Sequence, residues 1–173
     1  MPNVGIGATP LDVFENSPSR VWELNRGNLH VVGLFNYDAA KPQHISVPVE
    51  RLGFSTTGTV IYALDYWTQK VSVVVGGELS ATLPPCGNSV LALRKVSEHP
   101  QLLGTNRHIT QQFVDVRSES FDSAKNMLTI EVDVVANDAL KVTVLRRTSS
   151  GASKLSGYQF NVVDVPALVA TGP

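Results

Sequence analysis

An all-β protein is predicted from this 173-residue sequence: an antiparallel β-sandwich with an additional C-terminal β-hairpin layer. Three observations carry that expectation. About seven short runs rich in Val, Ile, Leu and aromatic residues follow one another within roughly 80 residues, divided by Gly, Pro, Asn and Asp. No stretch shows the apolar period of a substantial helix. Two runs, residues 29–37 and 59–67, are apolar on both faces, as strands central to a covered sheet are. Two packed sheets are the usual way for such strands to bury both sides.

Residues 1–19 read as an N-terminal linker, rich in Pro, Gly and Asn. Residues 10–14 suit one helical turn with Pro10 in its favoured first-turn place, and Leu11, Val13 and Phe14 are expected to dock on the domain. Residues 20–97 form the sandwich. A short strand at 20–24 turns through Asn25, Arg26, Gly27 and Asn28 into the central strand 29–37, where Val31 and Val32 are β-branched. Gly33 inside that strand suggests a bulge or a second backbone packed close. Residues 43–49 alternate, with Ile45, Val47 and Val49 on one face, and Pro48 argues for an edge or a strand end. Residues 51–53 turn, and 59–67 form the second central strand. Residues 71–75 and 78–83 flank Gly76-Gly77, the signal of a tight hairpin. Pro84-Pro85 ends that strand, and 87–96 is the next.

Residues 98–173 are expected to add a β layer packed on the sandwich. Residues 97–106 read as a connector and 109–116 as a strand. Residues 127–136 alternate cleanly, with Leu128, Ile130, Val132 and Val134 inward. Asn137-Asp138 turns the chain, and Leu140, Val142 and Val144 return the pattern as a hairpin with one wet face. A Ser/Gly-rich stretch at 148–157 reads as mobile and precedes a last strand at 158–165.

Composition excludes several function classes. The hydrophobic fraction is 43% and the charged fraction 17%, enough apolar content for a core. Formal net charge is −1, and no basic run exceeds Arg146-Arg147, which argues against a nucleic acid or an anionic membrane as partner. Cys86 is the one cysteine, so neither an intrachain disulfide nor a zinc motif is expected. No apolar run approaches the ~20 residues of a membrane helix. Residues 1–9 show neither the basic nor the apolar region of a signal peptide.

Candidate chemistry is sparse. Carboxylates group at Asp12 with Glu15, at Asp65, and at Glu131 with Asp133. The last pair falls on one strand face and reads as a solvated surface. Asp65 shares its face with Ile61, Ala63 and Trp67, so a backbone amide or Arg51 is expected to satisfy it. His99, Arg107 and His108 lack the further ligands of a metal site and read as packing or capping. Cys86 has no His nearby in sequence to activate it. No catalytic residue, metal ligand or cofactor is assigned. The aromatics remain: Trp22, Tyr37, Tyr62, Tyr66, Trp67 and Tyr158. Flat aromatic faces pack on the C–H groups of sugars. Tyr62 and Tyr66 sit in apolar runs and suit a core, whereas Trp22 and Trp67, near strand ends, suit a surface.

Several segments in order carry a resemblance. They are Pro10-Leu11-Asp12-Val13-Phe14-Glu15, Arg20-Val21-Trp22, and Val31-Val32-Gly33-Leu34-Phe35-Asn36-Tyr37. Then come Tyr62-Ala63-Leu64-Asp65-Tyr66-Trp67, Leu83-Pro84-Pro85-Cys86-Gly87, and Val90-Leu91-Ala92-Leu93-Arg94. The last is His99-Pro100-Gln101-Leu102-Leu103-Gly104-Thr105-Asn106-Arg107-His108-Ile109-Thr110. Together they resemble the C-terminal β-sandwich region of bacterial alpha-galactosidase-like (melibiase-type) glycoside hydrolases, over residues 10–112. In that family the chemistry belongs to an N-terminal (β/α)₈ barrel with two carboxylates at strand ends. This chain has no βα units and falls short of the ~250 residues such a barrel takes.

The resemblance therefore implies a non-catalytic accessory module. Its partner would be the catalytic (β/α)₈ barrel of a parent hydrolase, or a second copy through an apolar patch. A carbohydrate-binding module using Trp67, Tyr66 or Trp22 is the alternative. A small hydrolase using Asp65 or the Glu131/Asp133 pair is the third reading. Coplanar exposed aromatics would favour the second, and two carboxylates across a concave pocket the third.

Overall fold

The computed structural model describes residues 7–147 and 158–165, the side chains of 147 and 158–165 excepted. The stretch expected to be mobile at 148–157 and the side chain of Tyr158 lie outside the described residues. The chain divides into two compact units, one within residues 4–96 and one from residue 97 onward.

The strands of the first unit, in chain order, are β1 (Thr9–Pro10), β2 (Val21–Arg26), β3 (Leu29–Phe35), β4 (Gln43–Pro48), β5 (Ile61–Asp65), β6 (Val71–Val74), β7 (Glu78–Leu83) and β8 (Asn88–Lys95). Six build an antiparallel sheet in the order β1-β2-β3-β8-β5-β6, and β4 pairs with β7 as a second sheet. Alternation places every second side chain between the two sheets. Val32, Leu34, Leu91 and Leu93 enter from the large sheet, Ile45, Val47, Leu79 and Leu83 from the small one. Each such burial is worth about 1.5–3 kcal/mol relative to exposure. β3 and β8 are central, and nearly every residue along both is buried.

In the second unit the elements are β9 (Gln101–Thr105), the short helix α1 (Gln112–Asp115), β10 (Val116–Asp122), β11 (Met127–Val132), β12 (Leu140–Arg147) and β13 (Tyr158–Val165). β13, β12 and β9 form an antiparallel sheet in that order, and β10 with β11 form a hairpin. Leu102, Leu140 and Val142 of the sheet pack with Val116, Ile130 and Val132 of the hairpin. Every strand pair among the described residues is antiparallel, and the fold class is the all-β sandwich that the pattern predicts.

Several local expectations are corrected. Gly76 and Gly77 both take positive φ, as a tight hairpin would require, yet β6 pairs with β5 and β7 with β4. The two glycines carry the chain across from one sheet to the other. Gly33 makes no bulge: it pairs in register with Trp22 and Val90. Its missing side chain leaves room for the ring of Phe35, whose Cε2 would lie 2.7 Å from a Cβ there. Part of the stretch read as linker joins the large sheet, with Thr9 opposite Glu23 and Pro10 opposite Trp22. A single hydrogen-bonded turn follows at 12–16, where the amides of Glu15 and Asn16 donate to the carbonyl of Asp12. Leu11 packs on the core, but Val13 and Phe14 face solvent. The connector at 97–106 contains the fully buried strand β9. The strand expected at 109–116 is the helix α1 instead, with β10 starting at Val116. β11 and β12 do not pair with each other: β11 returns to β10, and β12 lies between β9 and β13.

Candidate functional site

β2 and β8 begin, and β3 and β5 end, at one end of the large sheet, because antiparallel registry brings Val21 opposite Leu34, Phe35 opposite Asn88 and Asp65 opposite Leu91. The aromatics gather there. Trp22, half-buried on β2, sits across from Gly33 and donates its indole N–H to the carbonyl of Ser19 (2.9 Å). Tyr37, just past β3, donates its hydroxyl to that same carbonyl (3.2 Å). The rings of Phe35 and Tyr37 are nearly parallel, 6.1 Å apart at 12°.

On the β5 side, the turn after Asp65 presents Tyr66 and Trp67. Asp65 shapes it: one carboxylate oxygen accepts from the amide and hydroxyl of Thr68, the other from the hydroxyl of Ser89 (2.7 Å). The expected amide partner is present, while Arg51 pairs with Glu15. Trp67 donates its indole N–H to Asn88 Oδ1 (2.8 Å) and meets Tyr66 edge-on, at 5.0 Å and 75°. Trp67 is 56% exposed and Tyr37 49%. All three sequence candidates thus lie at one sheet end. Tyr66 is half-buried, and the ring that joins Trp67 in solvent is Tyr37. Sequence reasoning weighed Tyr37 without placing it with the site. The available signal was the step Phe35-Asn36-Tyr37 at a strand end, which puts two rings on one side of a buried Asn36.

Asn36 ties this end together. Its amide donates to the carbonyls of Lys41, Leu83 and Pro84, and its oxygen accepts from the Asp38 amide. Asp38 in turn accepts from the amides of Ala40 and Lys41 and from Gln43. These hydrogen bonds, the two amides foremost, stabilise its charged form and hold its pKa below the ordinary value of 3.8.

The other sequence candidates disperse. Glu131 accepts from Ser118 and Asp133 pairs with Arg117 at 2.6 Å. His99 stacks on Phe121, while His108 lies 3.4 Å from Asp115, which is fully buried and held by Arg107. Cys86 is exposed in a turn. Among the described residues, no group of three or more His, Cys, Asp or Glu could hold a metal ion, and no helix is long and apolar enough to cross a membrane. An open cleft of about 240 Å³ runs between residues 11–20 and β4. Its polar walls are mutually engaged: Arg20 with Gln43 and Asn16, Arg51 with Glu15 and the Leu11 carbonyl.

Residues 18–93 match the family described as the alpha galactosidase C-terminal beta sandwich domain. No curated protein matches the chain. Two crystal structures of a GH27 β-L-arabinopyranosidase from Geobacillus stearothermophilus are similar over part of it. A single-residue variant in complex with arabinose is 23% identical, with a TM-score of 0.38, over 44% of this chain and 17% of that one. The wild-type enzyme is 24% identical, with a TM-score of 0.37, over 43% and 16%. This chain therefore spans a small part of the length of those enzymes. Over residues 18–93 the first unit is similar to the C-terminal β-sandwich of alpha-galactosidase-like glycoside hydrolases.

Proposed function

We propose that this chain is a non-catalytic accessory module of an alpha-galactosidase-like glycoside hydrolase, a sandwich that supports a catalytic (β/α)₈ barrel. The family match over residues 18–93 carries this reading. The carboxylate geometry agrees with it. Glycoside hydrolysis needs two carboxyl groups about 5–9.5 Å apart across a bound sugar. Here Asp12 and Asp65 engage both carboxylate oxygens with neighbouring groups of the fold, and Glu131 and Asp133 one each. The expected outcome is that the pure chain does not turn over nitrophenyl α- or β-glycosides. Turnover that a substitution at Asp65 or Glu131 abolished would overturn the reading.

The exposed rings of Trp67 and Tyr37 favour a second reading, an independent carbohydrate-binding module. The rings are not a coplanar row: Tyr66 stands across Trp67, and the parallel pair is Phe35 with Tyr37. A sugar would stack on single ring faces. Fluorescence titration with mono- and oligosaccharides, galactosides included, separates the two readings. Saturable quenching lost in Trp67→Ala or Tyr37→Ala would make it a binding module. A flat response across the panel would leave the accessory role.

A further inference from the structure

The large sheet ends on one side at β6, which has β5 on its inner edge and no strand on its outer edge among the described residues. The direction of each backbone group follows from the register. Leu64 faces Val71 and Ala63 faces Ser72, and the amide of Asp65 donates to the carbonyl of Lys70 at 3.0 Å. Antiparallel pairs alternate between hydrogen-bonded and non-hydrogen-bonded positions. Lys70, Ser72 and Val74 therefore turn their N–H and C=O groups toward β5. Val71 and Val73 turn theirs outward, and Val75, 73% exposed, continues the run.

Folded proteins blunt such edges with Lys, Pro, a bulge or an inward charge. From Val71 to Val75 this edge carries none of these. At the opposite side of the sheet, β1 is two residues long and includes Pro10. We propose that β6 is an interaction surface for a second copy of this chain, added antiparallel about a two-fold axis so that Val73 of one copy faces Val73 of the other. The edge is complementary to itself. In this register Val71 faces Val75 and Ser72 faces Val74, so no charge meets a charge and β-branched side chains meet across the seam. Lys70 lies outside this paired run, and past Val75 the chain turns away at Gly76. Because the two-fold axis sets the same edge of both copies against itself, the pairing is isologous and closes at two copies. The proposal is independent of the accessory role: glycoside turnover would overturn that reading and leave this one untouched.

The test is sedimentation of the full chain at concentrations up to about 1 mM, the range in which a short seam associates. The native chain is expected to show a monomer–dimer equilibrium, and the Val71 and Val73 amides to exchange more slowly as concentration rises. Val73→Pro removes an N–H that points away from β5, so the β5–β6 ladder keeps its bonds. Val73→Lys sets two like charges face to face across the axis and leaves the backbone intact. Both variants are expected to raise the dissociation constant by about tenfold or more, through lost pairing and like-charge repulsion. A native chain that stays monomeric throughout would overturn the proposal, since the edge then serves some other partner or none. Folded variants that dimerise as tightly as the native chain would overturn it too.

Discussion

Asp12 is the clamp on which the first unit's entry depends, and its removal gives a measurable loss. Its side chain is 5% exposed. Oδ1 accepts from the amides of Arg20 (3.0 Å) and Val21 (3.1 Å), and Oδ2 from the side-chain amide of Asn16 (2.8 Å). These bonds hold residues 11–20 against the start of β2 and so place Ser19, whose carbonyl receives both Trp22 and Tyr37. Asp12→Ala strands the amide of the buried Val21, at about 1–3 kcal/mol for an unsatisfied buried donor. The Arg20 amide, half-buried, regains water and adds about 1 kcal/mol. The sum is about 3 kcal/mol. Both tryptophans of the chain, Trp22 and Trp67, lie in this unit, so their emission follows its urea transition. At a slope of about 1.5 kcal/mol per molar urea, that loss lowers the midpoint by about 2 M. Asp12→Asn keeps one acceptor oxygen and is expected to lose about half as much. An alanine variant whose midpoint stays within about 0.3 M of the native one would refute the clamp.

Two further outcomes follow from the same geometry. Asp38, with its folded pKa held below 3.8, adds stability that is present above the unfolded value and is lost as pH falls through the folded one. Asp38→Asn is therefore expected to flatten the acid limb of the first unit's pH–stability curve below about pH 4 and leave neutral pH little changed; an unaltered acid limb would count against the assignment. In the second unit, Arg107 donates to the buried Asp115 from Nε (3.0 Å) and from a terminal nitrogen (2.6 Å), and that nitrogen also reaches the Asp133 carbonyl. Asp115→Ala removes the buried counter-charge of the guanidinium and leaves it the half-exposed Asp138 at 3.8 Å, at about 3 kcal/mol. Amide exchange of β9 and β12 is the readout, and unchanged protection would show that the pair is dispensable.

The sequence by itself determined what depends on near neighbours. Alternation marked β4 and β11, the doubly apolar runs marked β3 and β5 as central, and the spaced turn residues announced an all-β chain. These signals are local because a side chain's face follows from its parity along the strand. It also brought Trp22 and Trp67 forward as surface candidates from their places near strand ends, while Tyr66, a further carbohydrate-binding candidate, suited a core. Partner choice was decided elsewhere. Gly76 and Gly77 take the positive φ of a tight hairpin, but β6 pairs with β5 and β7 with β4, so the same turn became a crossing between sheets. Asn137-Asp138 turns the chain, yet Leu140 and Val142 find their core with Leu102 of β9 rather than with β11 alone. The strand β9 was hidden because Gly104 and two polar ends, Gln101 and Thr105, mask a run that is buried throughout. Tyr37 joined the candidate site through a carbonyl 18 residues away, at Ser19. Which strand lies beside which is a property of the whole core, since each face is filled by residues distant in sequence. No window of local pattern contains them.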